Sequence, residues 1–188
     1  DPKWFDDTIK LQKISFKEAI ELSYYGASVI HPKTIQPLQN RNIPLYVKSF
    51  LDPKSDGTVI QASSSQDHLI PSYIFKFDQA LYSFTPKDFS FIVEENLSVI
   101  FGKLSDLNVK INLMQNSALS FSILVDQKKV KRTQLLELFQ NEYEVKYNED
   151  LSLVTIRHYD EETINQVTKG KEVLLQQRTR HTARFVLK

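Results

Sequence analysis

Cysteine is absent from this sequence, so its chemistry would have to be built from four histidines and from hydroxyl, carboxyl and ammonium groups. His31 directly precedes Pro32, and a histidine held in a tight turn can serve as a positioned base. No acid or nucleophile stands near it in the sequence, so the preferred reading is that His31-Pro32 fixes a turn between a strand and a helix. His68, His158 and His181 lack the spacing of a metal site and are read as surface residues. No catalytic residue and no metal ligand is assigned. Lys169, Lys171, Arg178, Arg180, Arg184 and Lys188 stand against Glu172 alone near the end of the chain. Such a cationic run could meet nucleic acid. A solvated hairpin, with Arg178-Thr179-Arg180-His181 as its turn, is the simpler reading, and the serine run Ser63-Ser64-Ser65 reads as a connector.

These groups sit in a chain of 188 residues, 41% of them apolar, enough for one ordinary domain or two small ones. A formal charge of +1 provides no global field for nucleic acid or an anionic membrane. The missing cysteines exclude disulfides, thiolate zinc sites and cysteine nucleophiles, and fit a reducing, cytoplasmic setting. No apolar stretch approaches the roughly 20 residues that span a bilayer, and no secretory leader is legible. The chain opens Asp1-Pro2-Lys3 and its one methionine is Met114, so it reads as a piece of something larger.

Ser15 can cap a helix through Phe16, Ala19, Ile20 and Leu22, with Glu18 as the reciprocal partner of a capping box and Gly26 at its end. A short helix around 34–40 and a strand at 43–47 continue an α/β pattern. Residues 52–72, rich in Pro, Gly and Ser, read as turn and linker, with a domain boundary near residue 66. Beyond it, strands are expected at 73–77 and 80–84. Thr85-Pro86 resembles a helix cap followed by proline at the first helical position, and apolar residues from Phe89 to Leu107 keep a helical period for about six turns, on the order of 30 Å. Strands at 110–116 and 119–126, a helix at 131–140 and a strand at 143–147 complete a β-α-β-β-α-β order, the ferredoxin-like arrangement. A second unit follows, with strands at 151–159, 172–177 and 182–187 and a helix at 161–168. It lacks one strand, which 73–77 could supply. The expected fold is therefore α+β: an α/β remnant at 1–66, one ferredoxin-like unit at 79–148, and an interlocked second unit from 73–78 plus 149–188. An alternative at this level is an RNA-binding module of the same strand order, although Leu119-Ser120-Phe121-Ser122-Ile123 stands where its aromatic motif is expected.

The run Glu18-Ala19-Ile20-Glu21-Leu22-Ser23-Tyr24-Tyr25-Gly26-Ala27-Ser28-Val29-Ile30-His31-Pro32-Lys33-Thr34 resembles the aspartate kinase pattern EA-x-ELA-(Y/F)-x-GA-x-V-(L/I)-HP-x-T. Asn42-Ile43-Pro44, Phe50-Leu51-Asp52-Pro53 and Gly57-Thr58-Val59-Ile60 continue the family's order. The resemblance implies the end of a kinase domain followed by two ACT domains, and a parent enzyme that phosphorylates L-aspartate with ATP and magnesium in the route to lysine, threonine and methionine. It also implies that the phosphate loop and the catalytic lysine lie upstream, so this stretch is expected to hold no cofactor and to be inactive alone. Asp1-Pro2-Lys3 resembles the end of the nucleotide loop, which places Lys3 at nucleotide phosphate. Ser28 and Val29 would lie beside the adenine, and Ser28 departs from a frequent lysine.

Leu107-Asn108-Val109-Lys110-Ile111-Asn112-Leu113-Met114-Gln115-Asn116-Ser117 is similar to the second-strand element of ACT domains. The resemblance makes Asn112, Met114 and Ser117 candidates for contact with an amino-acid effector, lysine or threonine, and implies a homodimer through the ACT domains. Asn112 replaces a frequent aspartate, so the effector ammonium would meet a neutral amide oxygen. A purely structural dimerisation module without effector is the alternative.

Overall fold

The computed structural model describes residues 8–27, 30–63, 65, 67 and 70–188. Two compact units divide the chain, one made of Asp1–Phe75 with Val154–Leu187 and the other of Lys76–Leu153. The fold is α+β.

The first unit begins with β1 (Lys13–Ser15), α1 (Phe16–Tyr25), α2 (Pro32–Asn40), β2 (Leu45–Val47) and β3 (Thr58–Gln61). The Ser15 hydroxyl accepts the Glu18 N–H at 3.0 Å, as an N-cap should. Gly26 closes α1 at φ 121°, a conformation that side chains oppose, and its N–H reaches the Leu22 and Ser23 carbonyls. His31 caps α2, its Nδ1 accepting the Lys33 N–H at 3.2 Å, which is the turn-fixing role expected of it. The strands pair in the order β1-β3-β2, parallel between β1 and β3 and antiparallel between β2 and β3. Their core joins Ile14, Phe16, Ala19, Ile35 and Ile60.

The central strand β3 lies inside the stretch that composition marks as linker, and that reading is corrected here. Thr58, Val59 and Ile60 are β-branched, and Thr58 Oγ1 donates to the Leu11 carbonyl at 2.6 Å while Val59 N–H donates to Gln12 at 2.9 Å. Gly57 precedes it for a steric reason, since a Cβ there would overlap the Val47 carbonyl oxygen. Gly57→Ala should therefore lower stability by about 1–3 kcal/mol through backbone displacement. Urea unfolding followed by circular dichroism checks this, and an unchanged midpoint would show that β2 and β3 yield without cost.

Two long strands, β4 (Ser72–Pro86) and β7 (Tyr143–Arg157), run from one unit into the other, divided after Phe75 and after Leu153. Each replaces two expected strands. The polar breaks at Asp78 and Asp150 read as strand ends, but both residues take positive φ, 54° and 58°, a conformation Asp tolerates, and the strands continue. The first unit is completed by α5 (Glu161–Thr168), β8 (Val173–Arg178) and β9 (Thr182–Leu187), with strand order β4-β7-β9-β8. Val154, Ile156, Ile164, Val167, Phe185 and Leu187 form its core, with Tyr73 and Phe75 packed against them.

The second unit adds α3 (Glu94–Asp106), β5 (Ile111–Asn116), β6 (Phe121–Asp126) and α4 (Arg132–Phe139), in strand order β5-β6-β4-β7. The helix expected to start at Thr85 starts at Glu94. Through Phe84↔Phe121, β4 stays paired with β6, and Lys87 N–H donates to the Glu142 carbonyl at 3.1 Å, so sheet pairing overrides the local cap signal. Phe89 then turns at φ 59°, and Asn96 Oδ1 accepts the Val93 N–H at 3.1 Å. The helix is 13 residues long, about 20 Å. Tyr82, Phe84, Ile100, Leu104, Phe121 and Phe139 anchor the core between sheet and helices.

Candidate functional site

The candidate nucleotide-side residues Lys3, Ser28 and Val29 lie outside the described residues. The segment flanking the latter two borders a largely apolar hollow of ≈ 500 Å³, lined among others by Leu11, Ile14, Leu22, Ala27, Ile30 and Ile60.

Asn112 sits in a β-bulge, because Ile111 pairs with Val125 and Leu113 with Leu124, leaving one extra residue on β5. The bulge turns its amide into a polar chain. Its Nδ2 donates to Gln79 Oε1 at 2.8 Å and its Oδ1 accepts Lys76 Nζ at 3.0 Å. Gln79, fully buried, donates to the Phe77 carbonyl at 2.9 Å and to Asp126 Oδ1 at 2.8 Å. Asp126 also meets Lys129 Nζ at 3.0 Å. Burial alone would raise the Asp126 carboxyl, but hydrogen bonds from Lys129 and Gln79 and the charges of Lys129 and Lys76 hold it below its ordinary range. Met114, half exposed, lies opposite Ile123. Ser117 is engaged inside the β5–β6 turn, where its N–H donates to the Ser120 carbonyl at 2.8 Å and its hydroxyl lies 2.8 Å from that of Ser120. Of the three effector candidates, Asn112 enters this network. Sequence reasoning missed Lys76, Gln79 and Asp126; a polar Gln79 interrupting an apolar strand was the available signal.

The first turn of α3 carries Glu94 and Glu95. A helix start favours anions, and these two carboxylates already supply negative charge there.

A second cluster occupies the first unit. Arg157 grips Glu18 with Nε at 3.2 Å from Oε1 and Nη2 at 2.6 Å from Oε2, and donates through Nη1 to Thr182 Oγ1 at 2.7 Å. His158 Nε2 lies 3.2 Å from Glu18 Oε1, and Glu21 stands 3.6 Å from Arg157. The side chains of Arg157, Glu18 and His158 are 9%, 6% and 5% exposed. Two expectations are corrected: Glu18 does not return to cap Ser15 but meets Arg157, and the His158 side chain is buried rather than at the surface. Burial would raise the Glu18 carboxyl, but the Arg157 hydrogen bond and charge, with His158, outweigh it and the pKa lies below the usual value.

Phe121, Tyr82 and Phe84 are buried, so these sheet aromatics present no face on which RNA bases could stack. Among the described residues no group of acids and histidines could hold a metal ion, and no helix is long and apolar enough to cross a membrane.

Residues 1–49 match the amino acid kinase family. Over 167 residues the chain is 30% identical to a bifunctional aspartokinase/homoserine dehydrogenase of Haemophilus influenzae, covering 83% of this chain and 20% of that protein. The chain thus spans about a fifth of this relative's length. In structure it is similar to the Clostridium acetobutylicum aspartate kinase, with a TM-score of 0.83 at 18% identity, covering 100% of this chain and 47% of that one. It also resembles Escherichia coli aspartokinase III in complex with lysine and aspartate, with a TM-score of 0.78 at 22% identity, covering 99% of this chain and 44% of that one.

Proposed function

Because the chain belongs to the aspartokinase family, we propose that it serves as the regulatory portion of an enzyme that phosphorylates L-aspartate with ATP and magnesium in the cytoplasm, sensing an amino acid and pairing with a second copy. The observation that carries this reading is the alignment to an aspartokinase-containing relative over 83% of the chain, a span that must include both the kinase-end segment and part of the β-α-β-β-α-β unit. Lys3, Ser28 and Val29 are assigned the nucleotide side by family resemblance, and the apolar hollow lined by Ala27 and Ile30 would suit a flat base. Lysine or threonine is the effector proposed, with Asn112 as the acceptor for its ammonium and Met114 and Ser117 beside it.

One observation favours a second reading, a structural module without effector at Asn112. Lys76 Nζ already donates to Asn112 Oδ1, so a tethered ammonium stands where the effector ammonium would go. A thermal-shift titration of the 188-residue chain with each amino acid separates the two, since a ligand at a hundred times its Kd stabilises the folded state by about 2.7 kcal/mol. Lysine or threonine should raise the melting temperature, and Lys76→Met should enlarge that shift by removing the competing ammonium from Asn112 Oδ1. No shift with any amino acid, in either protein, would establish the structural reading.

Pairing is assigned to the second unit, which exposes Phe89 (79%) and Phe91 (67%) together with Leu119 (44%). Apolar side chains of this size in neighbouring loops are a patch that association would cover; Ile92 N–H donates to the Ala118 carbonyl at 2.9 Å and so joins the two loops. Light scattering should give a dimer mass, and Phe89→Ser with Phe91→Ser should reduce it to that of a monomer. A monomeric wild-type chain well above micromolar concentration would remove the pairing claim.

A further inference from the structure

Helix α1 has two unlike faces. Phe16, Ala19 and Ile20 pack on the β1-β3-β2 sheet in an apolar core. On another face, Glu18, Glu21 and Tyr25 recur at helical spacing and meet the β7–β9 strands through polar groups. Glu18 and Glu21 face Arg157, and Arg157 also bonds Thr182. His158 approaches Glu18, and the Arg184 guanidinium stands 5.2 Å from the centre of the Tyr25 ring. The two faces respond differently to opening. Exposing the apolar face costs free energy for every unit of area returned to water. A buried ion pair is close to break-even, because the attraction gained is offset by the dehydration of both charges, and separating the partners into water leaves neither charge stranded. The paired arginine nevertheless fixes one closed geometry, since its planar fork meets both carboxylate oxygens.

We propose that α1 is a latch, fixed to the three-stranded sheet by its apolar face and engaging or releasing the β7–β9 strands through Glu18, Glu21 and Tyr25. Glu18 and Arg157 are its bolt. Both are positioning residues rather than catalytic ones: Gly26, which closes α1, stands two residues before Ser28-Val29 in the sequence. That the segment serves a nucleotide rests on the function proposed above; the opening and closing of the latch does not.

Hydrogen exchange read by mass spectrometry on the 188-residue chain tests it. Arg157→Met leaves Glu18 buried with His158 beside it but without the arginine fork, and exchange across residues 16–26 should accelerate by about tenfold or more, with β1 and β3 amides unchanged. Glu18→Leu combined with Arg157→Met replaces the bolt by apolar contact, folds without a buried charge, and should slow exchange across 16–26 by about tenfold relative to wild type. Equal acceleration over α1, β1 and β3 in the single variant would mean general loss of stability and overturn the latch. So would a double variant that exchanges as fast as wild type. Failure of every amino acid to shift the melting temperature would count against the sensing role and leave these exchange rates as they are.

Discussion

Replacing Ile92 with glutamate is expected to unfold the second unit. In a helix running from Thr85, residue 92 would lie at an interface, and the same substitution would separate subunits with the fold intact. The structure places Ile92 before α3, 6% exposed, in the core that contains Ile100, Leu104 and Phe121. Losing its burial forfeits about 1.5–3 kcal/mol, and a carboxyl group in its place has no partner, which adds several more. A total above about 4 kcal/mol approaches the whole stability of an ordinary domain. The pH dependence has a definite sign. An acid forced into an apolar core has its pKa raised in the folded state, so the variant is least unstable at low pH and loses stability as pH rises through that raised value. Circular dichroism in urea at acidic and neutral pH, with light scattering alongside, checks both points. A folded variant of reduced mass at neutral pH would return Ile92 to the interface.

The same position shows why parts of the fold were legible and parts were not. Where the deciding interaction is local, residue type was sufficient: Ser15 and Gly26 bound α1, and the hairpin of β8 and β9 turns at 179–181, where Thr179 N–H donates to the Thr182 carbonyl at 2.8 Å. Where a distant strand decides, local signals misled. Thr85-Pro86 carries the residues of a helix start but is the end of β4, whose pairing with β6 joins positions far apart in sequence. Asp78 and Asp150 resemble strand ends because only the backbone reveals their left-handed turn. β3 was hidden by its neighbours, Gly57 before it and the serine run after it.

The candidate sites divide in the same way. Asn112 was reached by resemblance, yet its partners Lys76 and Gln79 belong to another strand and left no pattern around it. Glu18 and Arg157 are 139 residues apart. Each has an unremarkable local reading, a capping acid and a strand cation. Only the folded chain brings them within hydrogen-bond distance. Charge pairs of this kind are invisible to periodicity, because one buried polar residue on a strand or helix looks like an error in the pattern until its partner is found.

Truncating Phe84 to alanine is expected to destabilise the second unit by about 3–5 kcal/mol. The ring is fully buried, 4.6 Å from the Phe139 ring centre and 6.3 Å from that of Tyr143. Phe139 and Tyr143 are themselves 6.0 Å apart, so a strand, a helix and the start of β7 meet in one aromatic cluster. Phe139→Ala removes the same contact from the other side and should cost about as much. The double variant should lose less than the sum, by about 0.5–1.5 kcal/mol, because the ring pair is already gone after the first truncation. This deficit is what separates a shared cluster from two independent cavities. Urea unfolding of the four proteins measures it. Additivity within about 0.3 kcal/mol would mean that the two rings contribute only their separate burial, and that β4 and α4 are not joined through this contact.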